Sequence, residues 1–65
     1  MTDKEKLIQC FEELGIKFEE RNMKYYGGKS YQPTIAIRIN DFACLFYFGL
    51  DGKYEECECT EYLYD

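Results

Sequence analysis

The sequence predicts an α+β fold, an N-terminal α-helix packed on one face of a four-stranded antiparallel β-meander, with residues 1–65 forming a single domain. Three observations predict it. A capping box opens an apolar stripe at helical spacing, four later segments alternate with period two, and three short turns send one apolar set to the same face.

In Thr2-Asp3-Lys4-Glu5 the Thr2 hydroxyl can accept from the Glu5 amide while the Glu5 carboxylate reaches back to Thr2, so a helix starts there. Leu7, Ile8, Phe11 and Leu14 follow as one stripe, and Gly15 supplies the left-handed cap that ends it. The first strand carries Ile16, Phe18 and Glu20 in alternation, the second Ile35, Ile37 and Ile39, the third Phe42, Cys44, Phe46 and Phe48. A fourth, about residues 53–63, has Cys57, Cys59 and Leu63 on one side and Tyr54, Glu56, Glu58, Thr60 and Tyr62 on the other.

Gly27-Gly28, Asn40-Asp41 and Asp51-Gly52 read as two-residue hairpin loops. They set Phe18 opposite Ile37, Ile37 opposite Cys44, Phe46 opposite Cys57 and Cys44 opposite Cys59. A three-residue loop at Leu50-Asp51-Gly52 would place the phenylalanines beside Tyr54, Glu56 and Glu58 instead, with poorer packing. Pro33, lacking an amide on an internal strand, implies a splayed or bulged segment about residues 22–32. The expected core is Leu7, Phe11, Leu14, Ile16, Phe18, Ile35, Ile37, Ile39, Phe42, Cys44, Phe46 and Phe48.

Thirteen acidic against eight basic residues give a net charge of -5, which argues against binding nucleic acid through phosphate neutralisation and favours a protein partner with a basic surface. The longest apolar run, Phe42 to Phe48, is too short to span a bilayer, and the charged start is no secretory signal. The chain is therefore expected to be cytoplasmic, away from membranes, with its four cysteines reduced. Histidine, the commonest general base and metal ligand, is absent.

The register gathers Cys44, Cys57 and Cys59 beneath the helix, with Cys10 nearby. Four thiolates could hold zinc, but alternation along a strand lacks the tight-turn spacing of zinc sites, and the thiols read better as small core hydrophobes. A Cys44–Cys59 disulfide is disfavoured because the pair reads as hydrogen-bonded, with a Cα separation of about 5.5 Å. Glu12-Glu13, Glu19-Glu20 and Glu55-Glu56 point apart and read as solvated surface. Gly27-Gly28-Lys29-Ser30 lacks the earlier glycine and the following helix of a phosphate loop. No cofactor, metal site or catalytic group is expected, and the chain does not read as an enzyme.

If the helix covers one face, the other carries Leu45, Tyr47, Tyr54, Glu56, Glu58 and Tyr62, with Tyr25, Ala36, Arg38 and Thr60 beside them. With seven tyrosines in the chain, such a face reads as a protein-binding patch, since tyrosine offers large contact area at small entropy cost. Solvated surface and homodimerisation through the same patch are the competing readings, with a small thiolate metal or redox module a further one.

The capped helix Leu7-Ile8-Gln9-Cys10-Phe11-Glu12-Glu13-Leu14-Gly15-Ile16, leading into a meander with Phe48-Gly49-Leu50-Asp51-Gly52-Lys53, resembles small acidic accessory proteins encoded by bacteriophages and prophages, anti-CRISPR proteins among them. The resemblance spans most of the chain and transfers no functional residue. It implies a stoichiometric binder that inhibits or redirects a host defence or nucleic-acid-processing protein.

Overall fold

The computed structural model describes residues 1–24 and 30–61. Helix α1 (Asp3–Leu14) is followed by strands β1 (Glu19–Met23), β2 (Gln32–Ile39), β3 (Phe42–Phe48) and β4 (Tyr54–Glu61), in one antiparallel sheet of order β1-β2-β3-β4. The α+β meander expected from the sequence is the fold observed.

Both ends of α1 follow from local chemistry. The Glu5 amide donates to Thr2 Oγ1 at 3.2 Å, and the Thr2 amide donates to Glu5 Oε1 at 2.8 Å. The Thr2 amide first, and the Thr2 hydroxyl donating to the same oxygen at 3.0 Å second, hold the Glu5 carboxyl below its ordinary range. At the other end Gly15 adopts φ 73°, its amide donates to Glu12 O, and the Ile16 amide donates to Phe11 O at 2.9 Å. This pair of bonds satisfies carbonyls the last turn would otherwise leave open.

The β1–β2 pairing has the expected register, with Glu20 opposite Ile35, but β1 begins at Glu19, so Ile16 and Phe18 belong to the connection from α1. The Gly27-Gly28 turn lies outside the described residues. Asn40 takes φ 54°, a left-handed conformation that asparagine tolerates, and Ile39 faces Phe42 across the Asn40-Asp41 turn.

The β3–β4 connection differs from expectation. The Gly49 amide donates to Lys53 O at 2.8 Å and the Gly52 amide to Gly49 O at 2.9 Å, so Leu50, Asp51 and Gly52 form a three-residue loop. Gly52 takes φ 83° there. Phe48 faces Tyr54; a bulge then shifts the register, and Tyr47 faces Glu56, Phe46 faces Cys57 and Cys44 faces Cys59.

Backbone alternation requires this arrangement. A residue in a strand turns its N–H and C=O to the same side, and successive residues turn to opposite sides. A two-residue loop at Asn40-Asp41 closes on a hydrogen-bonded pair, so Phe42 and the even residues of β3 turn toward β2. The odd residues turn toward β4, and Gly49 rather than Leu50 closes the next hairpin. Two tight two-residue turns on β3 would therefore conflict. The three-residue loop resolves the conflict, and the bulge restores the facing of Cys57 and Cys59.

The same alternation accounts for Pro33. Its missing N–H points toward β3, where the β2–β3 ladder ends at Thr34 opposite Tyr47, and the Gln32 side-chain amide donates to Phe48 O at 3.4 Å instead. Toward β1 no N–H is needed at this position, so Asn22 faces Pro33 and Met23 faces Gln32 in unbroken register. The expected splaying does not occur at these pairs.

The core is smaller than expected. Phe11, Ile35 and Phe48 are buried, with Leu7, Ile8, Phe18, Ile37 and Phe46 packed against them. Leu14, Ile16, Ile39 and Phe42 are exposed, the last two by 51% and 52%. The start of α1 is tied to the β3–β4 turn by the Lys4 amide donating to Gly52 O and the Tyr54 amide donating to Asp3 Oδ2, each at 3.0 Å. A twelve-residue helix reaches only about 18 Å from that anchor. It covers the Phe48 end of the sheet and leaves the Asn40-Asp41 hairpin bare.

Candidate protein-binding face

Alternate residues of the four strands form the face opposite α1. Part of it is closed, contrary to the open tyrosine patch expected from the alternation pattern. Thr34 and Tyr47 have no exposed surface, and Leu45 keeps 7%. Lys24, the residue after β1, brings its carbonyl oxygen to 3.4 Å from the Tyr47 hydroxyl on this face.

The enclosed polar groups are satisfied. Tyr47 Oη donates to Glu58 Oε1 at 2.9 Å, and Thr34 Oγ1 donates to Gln32 O at 2.8 Å. Burial first, and the Glu58 bond second, push the Tyr47 phenol up to about 12. Gln32 Nε2 donates to Glu55 Oε1 at 2.7 Å, tying the bulge to β2.

Beside this closed part the face hollows into a groove of about 710 Å³. Ala36 and Ala43, on neighbouring strands, supply too little volume to fill it, and Leu45, Met23 and Phe18 line it as well. Lys17, Arg21 and Arg38 bring three positive charges to the groove, against Glu19 and Glu61. Glu19 Oε2 orients Arg21, accepting from Nη2 at 2.7 Å.

The sequence-predicted binding residues thus separate. Leu45 lines the groove, Tyr47 is enclosed, Glu58 holds the Tyr47 hydroxyl, and Glu56 is exposed opposite Tyr47. Tyr54 is on the other face, where its ring meets Phe48 edge-on with centroids 6.2 Å apart. The three-residue loop moved it there. Tyr62 lies outside the described residues, as does Tyr25. Met23, Arg21 and Ala43 were missed as lining residues. The two alanines in otherwise bulky strands were the readable signal of a hollow.

On the helix side, Cys44 and Cys59 bring their sulfurs to 2.9 Å. The hydrogen bond to Cys59, then burial, push the Cys44 thiol up to about 11; burial and the Cys59 neighbour raise Cys57. Cys10, Cys57 and Cys59 are exposed rather than packed together beneath α1: Cys10 lies on an outward side of the helix itself, and the helix leaves the two β4 thiols uncovered. Among the described residues, no group of three or more His, Cys, Asp or Glu side chains is placed to hold a metal ion. No helix among them is long and apolar enough to cross a membrane.

No family model matches the chain, and comparisons with curated proteins and with solved structures give no match.

Proposed function

We propose that this chain is a non-catalytic protein-binding module that receives an apolar, acid-flanked segment of a protein partner in the groove of its concave face. The groove itself carries the reading: a hollow of about 710 Å³ with small and aliphatic side chains, edged by oriented charges. Three basic groups against two acidic ones line it on a chain of net charge -5, so this is where an acidic segment is least repelled. The preference is opposite to that expected from Glu56 and Glu58, since Glu58 is engaged by Tyr47.

The narrower form of the proposal is the inhibitor role implied by the phage-protein resemblance: one copy blocking one host defence or nucleic-acid-processing protein in the cytoplasm. A photo-crosslinker placed at Ala43, with one at exposed Glu12 as control, tests the groove in cell lysate. The expected result is a discrete one-to-one adduct from position 43 and none from position 12. Equal labelling from both positions, or loss of the adduct only when Glu56 and Glu58 are replaced, would refute it.

A second reading, homodimerisation, is favoured by Ile39 and Phe42, which face each other on the bare hairpin end and are about half exposed. Sedimentation equilibrium separates the two: a dimer dispersed by Phe42→Ser supports self-association, and a monomer at high concentration excludes it.

A further inference from the structure

We propose that Cys44 and Cys59 form a reversible dithiol–disulfide site that reacts with low-molecular-weight disulfides. The pair is set by the fold. Cys44 faces Cys59 in the β3–β4 register, and their sulfurs are 2.9 Å apart as free thiols.

The β3–β4 loop determines which kind of pair this is. The Gly49 amide turns toward β4, so the even residues of β3, Cys44 included, turn their amides toward β2. Cys44 and Cys59 therefore form a non-hydrogen-bonded pair, for which the Cα separation is about 4.5 Å rather than 5.5 Å and the side chains stand closer. That is within the span disulfides bridge, so the bond closes without backbone movement, and the exposure of Cys59 leaves it open to reduction by small thiols. A two-residue loop would have produced the wider pair.

Access is provided by the short helix. Cys59 is exposed and Cys44 half-buried, beyond the end of the face that α1 covers. Cys59 is the sulfur a reagent reaches first. Its thiolate attacks one sulfur of the small disulfide, forming a mixed disulfide and releasing one small thiol. Cys44 then attacks Cys59 Sγ, losing its proton to solvent, and the second small thiol leaves. The two protein sulfurs together lose two electrons, and the reagent, gaining two electrons and two protons, becomes two thiols. The raised Cys44 thiol slows unassisted attack, but its position against Cys59 gives the intramolecular step a large effective concentration.

The test uses the full chain, fully reduced, equilibrated with glutathione buffers of increasing oxidised fraction, then acid-quenched, alkylated and mapped by mass spectrometry. The expected product is about 2 Da lighter than the reduced chain, with Cys44 and Cys59 the blocked pair, and it returns to the dithiol in excess reduced glutathione. The Cys10→Ser/Cys57→Ser double variant, which keeps both members of the pair, should give the same product at the same glutathione ratio. Four alkylatable thiols at the most oxidising ratio, a bridge through Cys57 or Cys10, or a lasting glutathione adduct on the wild-type chain would each overturn the proposal. So would a lower urea midpoint for the oxidised chain, because a bridge matching the native geometry does not weaken the fold.

Discussion

Tyr47 donates its hydroxyl proton to Glu58 Oε1 at 2.9 Å from a ring with no exposed surface, so a residue on the face opposite the helix is as buried as the core phenylalanines. Alternation places Tyr47 on that face without stating whether the face is wet. Tyr47→Ala should therefore cost about 3 to 5 kcal/mol, as for other enclosed aromatics. Tyr47→Phe should cost about 1 kcal/mol, since it removes one hydrogen bond to a carboxylate that is itself only half-buried. Urea midpoints measure both; a Tyr47→Ala variant as stable as the parent would show that the ring is not enclosed.

Stability should fall at alkaline pH. Tyr47 and Cys44 both have raised values in the folded chain, so the unfolded chain releases these protons first, and stability decreases as pH rises through the interval between. The Cys44 contribution is whole below its ordinary 9.0 and is lost as pH passes about 11. That of Tyr47 is whole below 10.0 and is lost as pH passes about 12. Melting temperature followed from neutral pH upward should drop in two overlapping stages, with the later one missing in Tyr47→Phe. A flat profile to the end of the range would contradict both assignments.

The start of α1 and the β3–β4 loop form one structural unit. A Cβ on Gly52 would fall 2.6 Å from Thr2 Cβ, at a φ of 83° that side chains rarely adopt. Gly52→Ala should destabilise by more than about 1 kcal/mol, from backbone strain and from displacing Thr2. Thr2→Ala should cost about 1 kcal/mol through the lost cap. Because the two sites touch, the double variant should lose less than the sum of the single losses; strict additivity in denaturation would show that the helix start and the loop are uncoupled.

Among the core aromatics, Phe48 keeps 1% exposure while Phe46 is only partly buried. Phe48→Ala should cost about 3 to 5 kcal/mol and Phe46→Ala less. The opposite ranking by thermal or urea unfolding would place the centre of the core one row further from the helix anchor. Serine at Cys57 or Cys59, both exposed, should change stability by less than about 0.5 kcal/mol, because no hydroxyl is then buried.

Much of this protein is written locally. Thr2 and Glu5 delimit α1 at one end and Gly15 at the other, because a cap is a matter of residues within one turn of each other. Ile35 and Ile39 of β2 face Phe46 and Phe42 of β3, with Ile37 facing Cys44 between them, because alternation and the Asn40-Asp41 turn are read from contiguous residues. The outcomes that departed from this reading each depend on two distant segments at once. The choice between loops after β3 rests on hydrogen bonding already committed to β2, which places Tyr54 against Phe48 and makes Cys44 and Cys59 a close pair. Exposure of Ile39 and Phe42 depends on where a short helix is anchored, and the surroundings of Tyr47 on Lys24 and Glu58, which meet its hydroxyl from distant parts of the chain. Side-chain direction along a strand has a local period, whereas hydrogen-bond partnership and coverage are properties of neighbours brought together only by folding.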